Sequence, residues 1–250
     1  MDAAVLDAAM GVLDAATLAF ARVGACLMVM PGLGGSRVST RARLFLALAL
    51  AASLAPLLPA TGLPERAPLL ALVLASEMAV GGLLGLLARV HYAALRFAGG
   101  VIAASIGFQP LGGMAVDGSE PDGALGALLS LCALMVLFAA DAHHAILRAL
   151  FDTYSVWPPG RGVAPRAGLQ SLVDSLRAAW GTALSLCAPF LVYGLTVQFL
   201  LGLVNKLAPA VPLYFVGLPI LIGGGLALLA LGAPDMLSVH LDRLGETMGG

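Results

Sequence analysis

Long apolar runs separated by short polar joints make up most of the chain. Runs of spanning or near-spanning length fall at about 11–31, 44–60, 67–88, 97–115, 124–142, 179–204 and 212–233. About 20 apolar residues in a helix match the roughly 30 Å hydrocarbon core of a bilayer, and a helix satisfies its own backbone groups there. The fourth run is interrupted by Gly99, Gly100, Gly107, Pro110, Gly112 and Gly113. The pattern therefore predicts six apolar helical spans plus one Gly-rich broken segment. The last two runs face each other across a polar joint at Asn205, Lys206, Pro209 and Pro212. Proline lacks a backbone donor and pushes the preceding residue out of helical geometry, so both prolines sit best where one helix ends and another begins. A helical hairpin is the expected result.

Composition sharpens this picture. The 250 residues are 60% apolar and 11% charged, with a mean hydropathy of +0.98. A soluble domain is nearer a quarter charged, so an all-α integral membrane protein is expected. The net charge of −1 and the lack of any Lys/Arg-rich segment set nucleic-acid binding aside. Cys26, Cys132 and Cys187 lie singly inside apolar runs and read as small packing residues, not as a disulfide frame or zinc site. Residues 1–10 carry Asp2 and Asp7 but no basic residue, so the first run is expected to be a retained span and not a cleaved leader.

Charge in the connections gives a topology. Arg37, Arg41 and Arg43 follow the first run, Arg89 and Arg96 follow the third, and Arg148, Arg161, Arg166 and Arg177 crowd the connection 148–178. Asp117, Glu120 and Asp122 follow the Gly-rich segment. If that segment crosses, basic connections alternate with acidic or neutral ones and the N-terminus lies outside. If it does not cross, the rule fails at 148–178. That connection begins as a Pro/Gly loop and ends with Leu169, Leu172, Val173 and Leu176 at helical spacing, an amphipathic lead-in to the next span.

Polar groups inside spans are costly, about 2.5–3.5 kcal/mol for a central Arg or Asp. Arg22 in the first run and Glu77 in the third therefore need an explanation. Either they line an aqueous path and titrate, or each is buried against a polar group of a neighbouring helix or subunit. Asp141, His143 and His144 make a poor metal site, because adjacent helical positions point about 100° apart. Neither a nucleophile elbow, an HExxH, a P-loop nor a Rossmann fingerprint occurs, so no enzyme activity and no cofactor are expected. Gly81, Gly82, Gly85, Gly99, Gly100 and Gly223, Gly224, Gly225 are of the kind that lets helices approach closely. The segment 107–123 cannot hold a stable helix, yet stays apolar through Phe108, Leu111, Met114 and Val116. It reads either as an external loop or as a flexible loop obstructing a pore.

The order of these motifs resembles one family. RVGACLMVMPGLGGSRVSTRARLFLALALA (Arg22 to Ala51), SEMAVGGLLG (Ser76 to Gly85), the segment from Ala98-Gly99 to Gln109, Asp141 with His143, Ser155 followed by Pro158, and NKLAPAVPLYFVGLP (Asn205 to Pro219) together look like the flagellar biosynthetic FliR family. That family includes the export-apparatus T subunit of injectisomes. The resemblance covers nearly the whole chain and rests on order and spacing more than on any single motif. It implies a structural and gating subunit of the type III protein export channel, in the bacterial inner membrane at the flagellar basal body, passing unfolded flagellar subunits outward. The implied partners are FliP-like and FliQ-like membrane subunits, an FlhB-like export protein, transient unfolded substrates and membrane lipid.

The resemblance also implies helical hairpins packed in a multisubunit gate. Residues 1–165 would be a FliP-like part, and 166–250 would hold the lead-in, a FliQ-like hairpin at 179–233 and a short polar tail. A plug loop at about 107–123 would include Phe108, Leu111, Gly112, Gly113, Met114 and Val116. Where many members carry Arg-x-x-Pro-Gln in the last turn, this chain has Lys206, Leu207, Ala208, Pro209 and Ala210, and its plug region lacks an aromatic-rich run. Two alternatives stand beside this reading: the equivalent injectisome subunit, and a small secondary transporter using Glu77 and Arg22 with a broken fourth helix. The transporter reading calls for an internal repeat, and no convincing one is apparent between the two halves of the chain.

Overall fold

A computed structural model describes residues 3–35, 38–59, 62–64, 66–108, 142–160, 165–208 and 213–249, with six scattered positions between 128 and 138. Every regular element among the described residues is helical: α1 (Ala3–Val29), α2 (Thr40–Leu54) with a 3₁₀ turn (Ala55–Leu57), α3 (Ala67–Ser105), α4 (Ala142–Val156), α5 (Pro165–Leu207) and α6 (Leu213–Gly249). Five of the helices are long and apolar enough to cross a membrane: Val5–Val29, Thr40–Leu57, Ala67–Ser105, Arg166–Leu207 and Phe215–Gly232. Most of the predicted run at 124–142 lies outside the described residues, so among the described residues five spans stand where six were expected.

Three sequence expectations need correcting. The third run and the start of the fourth are one helix of 39 residues, so Arg89 and Arg96 lie inside α3 and not in a connection. Neither Gly99 nor Gly100 breaks it, because glycine in a helix interior costs only about 1 kcal/mol per residue relative to alanine. Asn205 and Lys206 belong to the last turn of α5, and the polar tail continues α6 to Gly249. At 1.5 Å per residue α3 and α5 are about 58 and 65 Å long, roughly twice a bilayer's hydrocarbon core.

Local chemistry sets the ends. Ser39 is extended (φ −61°, ψ 144°) and its hydroxyl accepts from the Ala42 N–H, which caps α2. α3 stops at Gly107, whose φ of +72° is left-handed. There the Phe108 N–H donates to Ala103 C=O at 2.9 Å and the Gly107 N–H to Ala104 C=O at 3.2 Å, the paired bonds of a Schellman ending.

The chain divides into two compact units. One comprises Met1–Val90, His143–Ser175 and Met248–Gly250. Its α1 buries Ala15, Leu18, Ala19, Arg22, Val23, Cys26 and Leu27, a stripe with three-to-four spacing that includes a charge and continues to Met30 just past the helix. Gly81 and Gly85 of α3 face that stripe: a Cβ on Gly81 would collide with the Arg22 carbonyl, and one on Gly85 would lie 2.7 Å from the Cys26 carbonyl. The second unit comprises His91–Ala142 and Leu176–Thr247. Its core gathers Ile102, Ala103 and Ile106 of α3 with Cys187 and Phe190 of α5, and Phe108 packs against it.

α5 is patterned inside out relative to a soluble helix. Its buried positions are Ser175, Ala179, Thr182, Ala183, Leu186, Cys187 and Phe190, mostly small, while Leu176, Trp180, Leu184, Val192, Leu195 and Phe199 are exposed. Large apolar side chains pointing outward and small ones inward suit an apolar surrounding and close packing, not water. The lead-in follows suit, since Leu169 and Val173 are exposed.

Candidate functional site

The most connected polar site lies in the first unit, where α1, α3 and α4 each contribute. Arg22 sits on the buried stripe of α1 and Glu77 one helical turn before Gly81 on α3, and both are 0% exposed. Close packing at Gly81 brings the two helices near enough for the side chains to meet. The Arg22 Nε–H donates to Glu77 Oε2 at 2.7 Å. Its Nη1 donates to the Thr153 hydroxyl at 3.1 Å and its Nη2 to the Trp157 carbonyl at 3.0 Å. The guanidinium carbon lies 4.0 Å from the centroid of the Tyr154 ring, a cation–π contact.

Glu77 is held as firmly. Its second oxygen, Oε1, accepts the Gly160 N–H at 2.8 Å, and Gly160 has a φ of +81°, which only glycine adopts without strain. Thr153 passes the network on by donating to the Leu150 carbonyl at 2.6 Å. A buried ion pair is tolerable when good geometry and further hydrogen bonds satisfy both partners, and that condition is met here. The pair thus ties the turn 157–160 after α4 to the two helices of the pair. Burial pushes the Tyr154 phenol up to about 12, the nearby Arg22 charge opposing and Glu77 adding. It stays neutral, with no hydrogen-bond partner for its hydroxyl among the described residues.

In the second unit a hydroxyl and several glycines sit where helices meet. Tyr193 of α5 donates to the Ile220 carbonyl of α6 at 2.7 Å, and a Cβ on Gly224 would collide with that hydroxyl. A Cβ on Gly194 would strike the Ser105 carbonyl, and one on Gly225 the Ile106 side chain. Of the glycines singled out in the sequence, Gly82, Gly100 and Gly223 instead face open space.

The other expected site residues are scattered. Phe108 is half-buried on the second unit's core, whereas Leu111, Gly112, Gly113, Met114 and Val116 lie outside the described residues. Asn205 and Lys206 are exposed, and Pro209 and Pro212 are not described. The rings of His143 and His144 have centroids 4.1 Å apart, closer than helix rotation implied, and no group of three metal-ligating side chains occurs among the described residues.

Sequence comparison decides the family. The model for bacterial export proteins, family 1, matches residues 13–247. This chain belongs to that family. The flagellar biosynthetic protein FliR of Caulobacter vibrioides is 32% identical over 237 residues, 93% of this chain and 94% of that protein. The proteins of the same name from Escherichia coli and Bacillus subtilis are 26% identical over 84% and 81% of the chain, each covering 80% of the relative.

Within this export-family chain, Arg22 and Glu77 were visible as isolated intramembrane charges, but their common partners were not. Thr153, Tyr154, Trp157 and Gly160 carry no motif, and two of the contacts run through backbone atoms. The one signal available was that two opposite charges inside otherwise apolar runs need each other.

Proposed function

We propose that this chain is a structural and gating subunit of the flagellar type III export channel in the bacterial inner membrane. The observation that carries the reading is the end-to-end relationship to FliR proteins, spanning 94% of the Caulobacter protein. The helices support it. Several are about twice as long as a bilayer's core, and large apolar side chains are turned outward along α5. Both features suit a polypeptide built into a wall of helices in which some need not cross the lipid.

In this reading the subunit joins FliP-like and FliQ-like membrane proteins and works beside an FlhB-like export protein. Residues 1–165 form the FliP-like part and 179–233 the FliQ-like hairpin, with Lys206 at its turn offering a cation to a partner subunit. The segment 107–123 is the plug, beginning where the Gly107 ending releases the chain from α3. Unfolded flagellar subunits are cargo, and no residue acts as a catalyst. The Arg22–Glu77 pair is structural, because each nitrogen of the guanidinium and both carboxylate oxygens already make a hydrogen bond within this chain.

Purification of the chain with and without FliP-like and FliQ-like partners tests the assignment. Stable assembly only in their presence is the expected result, and a stable, solute-carrying protein on its own would overturn it. Deleting 112–116 tests the plug: an ion leak across the membrane is expected, and an unchanged barrier removes the assignment.

A further inference from the structure

Between Asp14 and Glu65 the sequence contains no acidic residue, yet it holds Arg37 shortly before α2 and Arg41 and Arg43 in the first turn of α2. Arg43 is nine-tenths buried. Its Nη2 donates to the Gly35 and Val38 carbonyls, each at 2.9 Å, and its Nη1 to Met28 Sδ at 3.3 Å. Its Nε has no partner among the described residues, and no carboxylate among them pairs with it. Neutral acceptors fix the guanidinium without cancelling its charge. Arg41, two positions earlier in the first turn of α2, is exposed.

Met28 also lines a cleft of about 560 Å³ between α1, α2 and α3, with Ala21, Gly24, Leu44, Met78 and Gly82 among its other walls. That volume lies within the roughly 300–1,000 Å³ common for small-molecule sites. A Cβ on Gly24 or Gly82 would meet nothing within 4 Å, so these glycines leave space open and do not serve close helix contact as Gly81 and Gly85 do. All three walls are helices long and apolar enough to span a membrane.

We propose that the cleft holds an acyl chain of an anionic phospholipid, with its phosphate at the Arg41–Arg43 end of α2. One such molecule supplies both things the site lacks, an apolar filling and a negative charge. A transmembrane helix would fill the cleft but would have to bring its own carboxylate. The inference rests on the membrane placement proposed above.

The full chain, purified in dodecyl maltoside, is offered phosphatidylglycerol and phosphatidylcholine of equal chain length, and retained lipid is counted by native mass spectrometry. Retention of phosphatidylglycerol over phosphatidylcholine by about tenfold is expected from two basic side chains. Gly82→Leu, which fills the cleft without a clash at its Cβ, should lower retention of both lipids. Arg41→Gln combined with Arg43→Gln should erase the preference, and glycerol phosphate, which has no tails, should not compete. Equal retention of the two lipids, retention unmoved by Gly82→Leu, or competition by glycerol phosphate alone would overturn the proposal. So would displacement of lipid by FliP-like and FliQ-like subunits with assembly blocked in Gly82→Leu, which would assign the cleft to a protein helix. Flagellar export in the same strains reads the other question separately: normal lipid selection without complementation of export overturns the proposed function and leaves this site standing.

Discussion

The two compact units meet one physical problem in different ways. Both must hold long apolar helices together in surroundings where burial of apolar surface gives little preference for one neighbour over another. In the first unit the answer is directional: Arg22 and Glu77 use fixed donors and acceptors to join α1, α3 and the turn after α4. In the second, α3, α5 and α6 come together through notches at Gly194, Gly224 and Gly225 and through the Tyr193 hydroxyl. A charge pair specifies one arrangement but penalises any breakage heavily. Glycine notches specify less and tolerate more, which fits a region where the proposed plug would begin.

Single substitutions sharpen that contrast. Glu77→Ala strands the buried Arg22 guanidinium, and losing one partner of a buried pair costs about 3–5 kcal/mol. Thermal unfolding in detergent should show the largest loss of the series, and a loss no greater than that of a surface change would break the comparison. Gly81→Ala drives a methyl group into the Arg22 carbonyl, so overpacking of about 1–3 kcal/mol is expected. Gly82→Ala, one position on, should be close to neutral, and similar effects at both positions would argue against close packing at Gly81. Tyr193→Phe removes one hydroxyl–carbonyl bond and should cost about 1 kcal/mol in the same assay. Tyr154→Phe should cost nothing or slightly stabilise, because it keeps the ring under Arg22 and deletes a buried hydroxyl that has no partner.

Much of this architecture was legible in the letters. Apolar runs near 20 residues marked α1, α2 and the helices of the final hairpin, since the membrane requirement is one of length and composition. The same rule placed α3 poorly: Arg89 and Arg96 looked like a polar joint, although side chains this long can lie along a helix without ending it. What stopped α3 was Gly107 in a left-handed conformation, a backbone property that its letter does not distinguish from Gly99 or Gly100 within the helix. The charged site was half legible. Arg22 and Glu77 stood out because charge is rare inside apolar runs, whereas Gly160 and Trp157 contribute backbone atoms that any residue possesses.

Glu77→Gln gives the most direct test of whether the buried pair is a clasp or a proton carrier. Glutamine keeps the shape and one acceptor but turns its amide NH2, a donor, toward either the Arg22 or the Gly160 donor, so the yield of folded subunit should fall. Flagellar protein export, normalised to the amount of folded subunit in the membrane, should remain near the wild-type value. A normally abundant, fully assembled Glu77→Gln protein with export abolished would contradict the account.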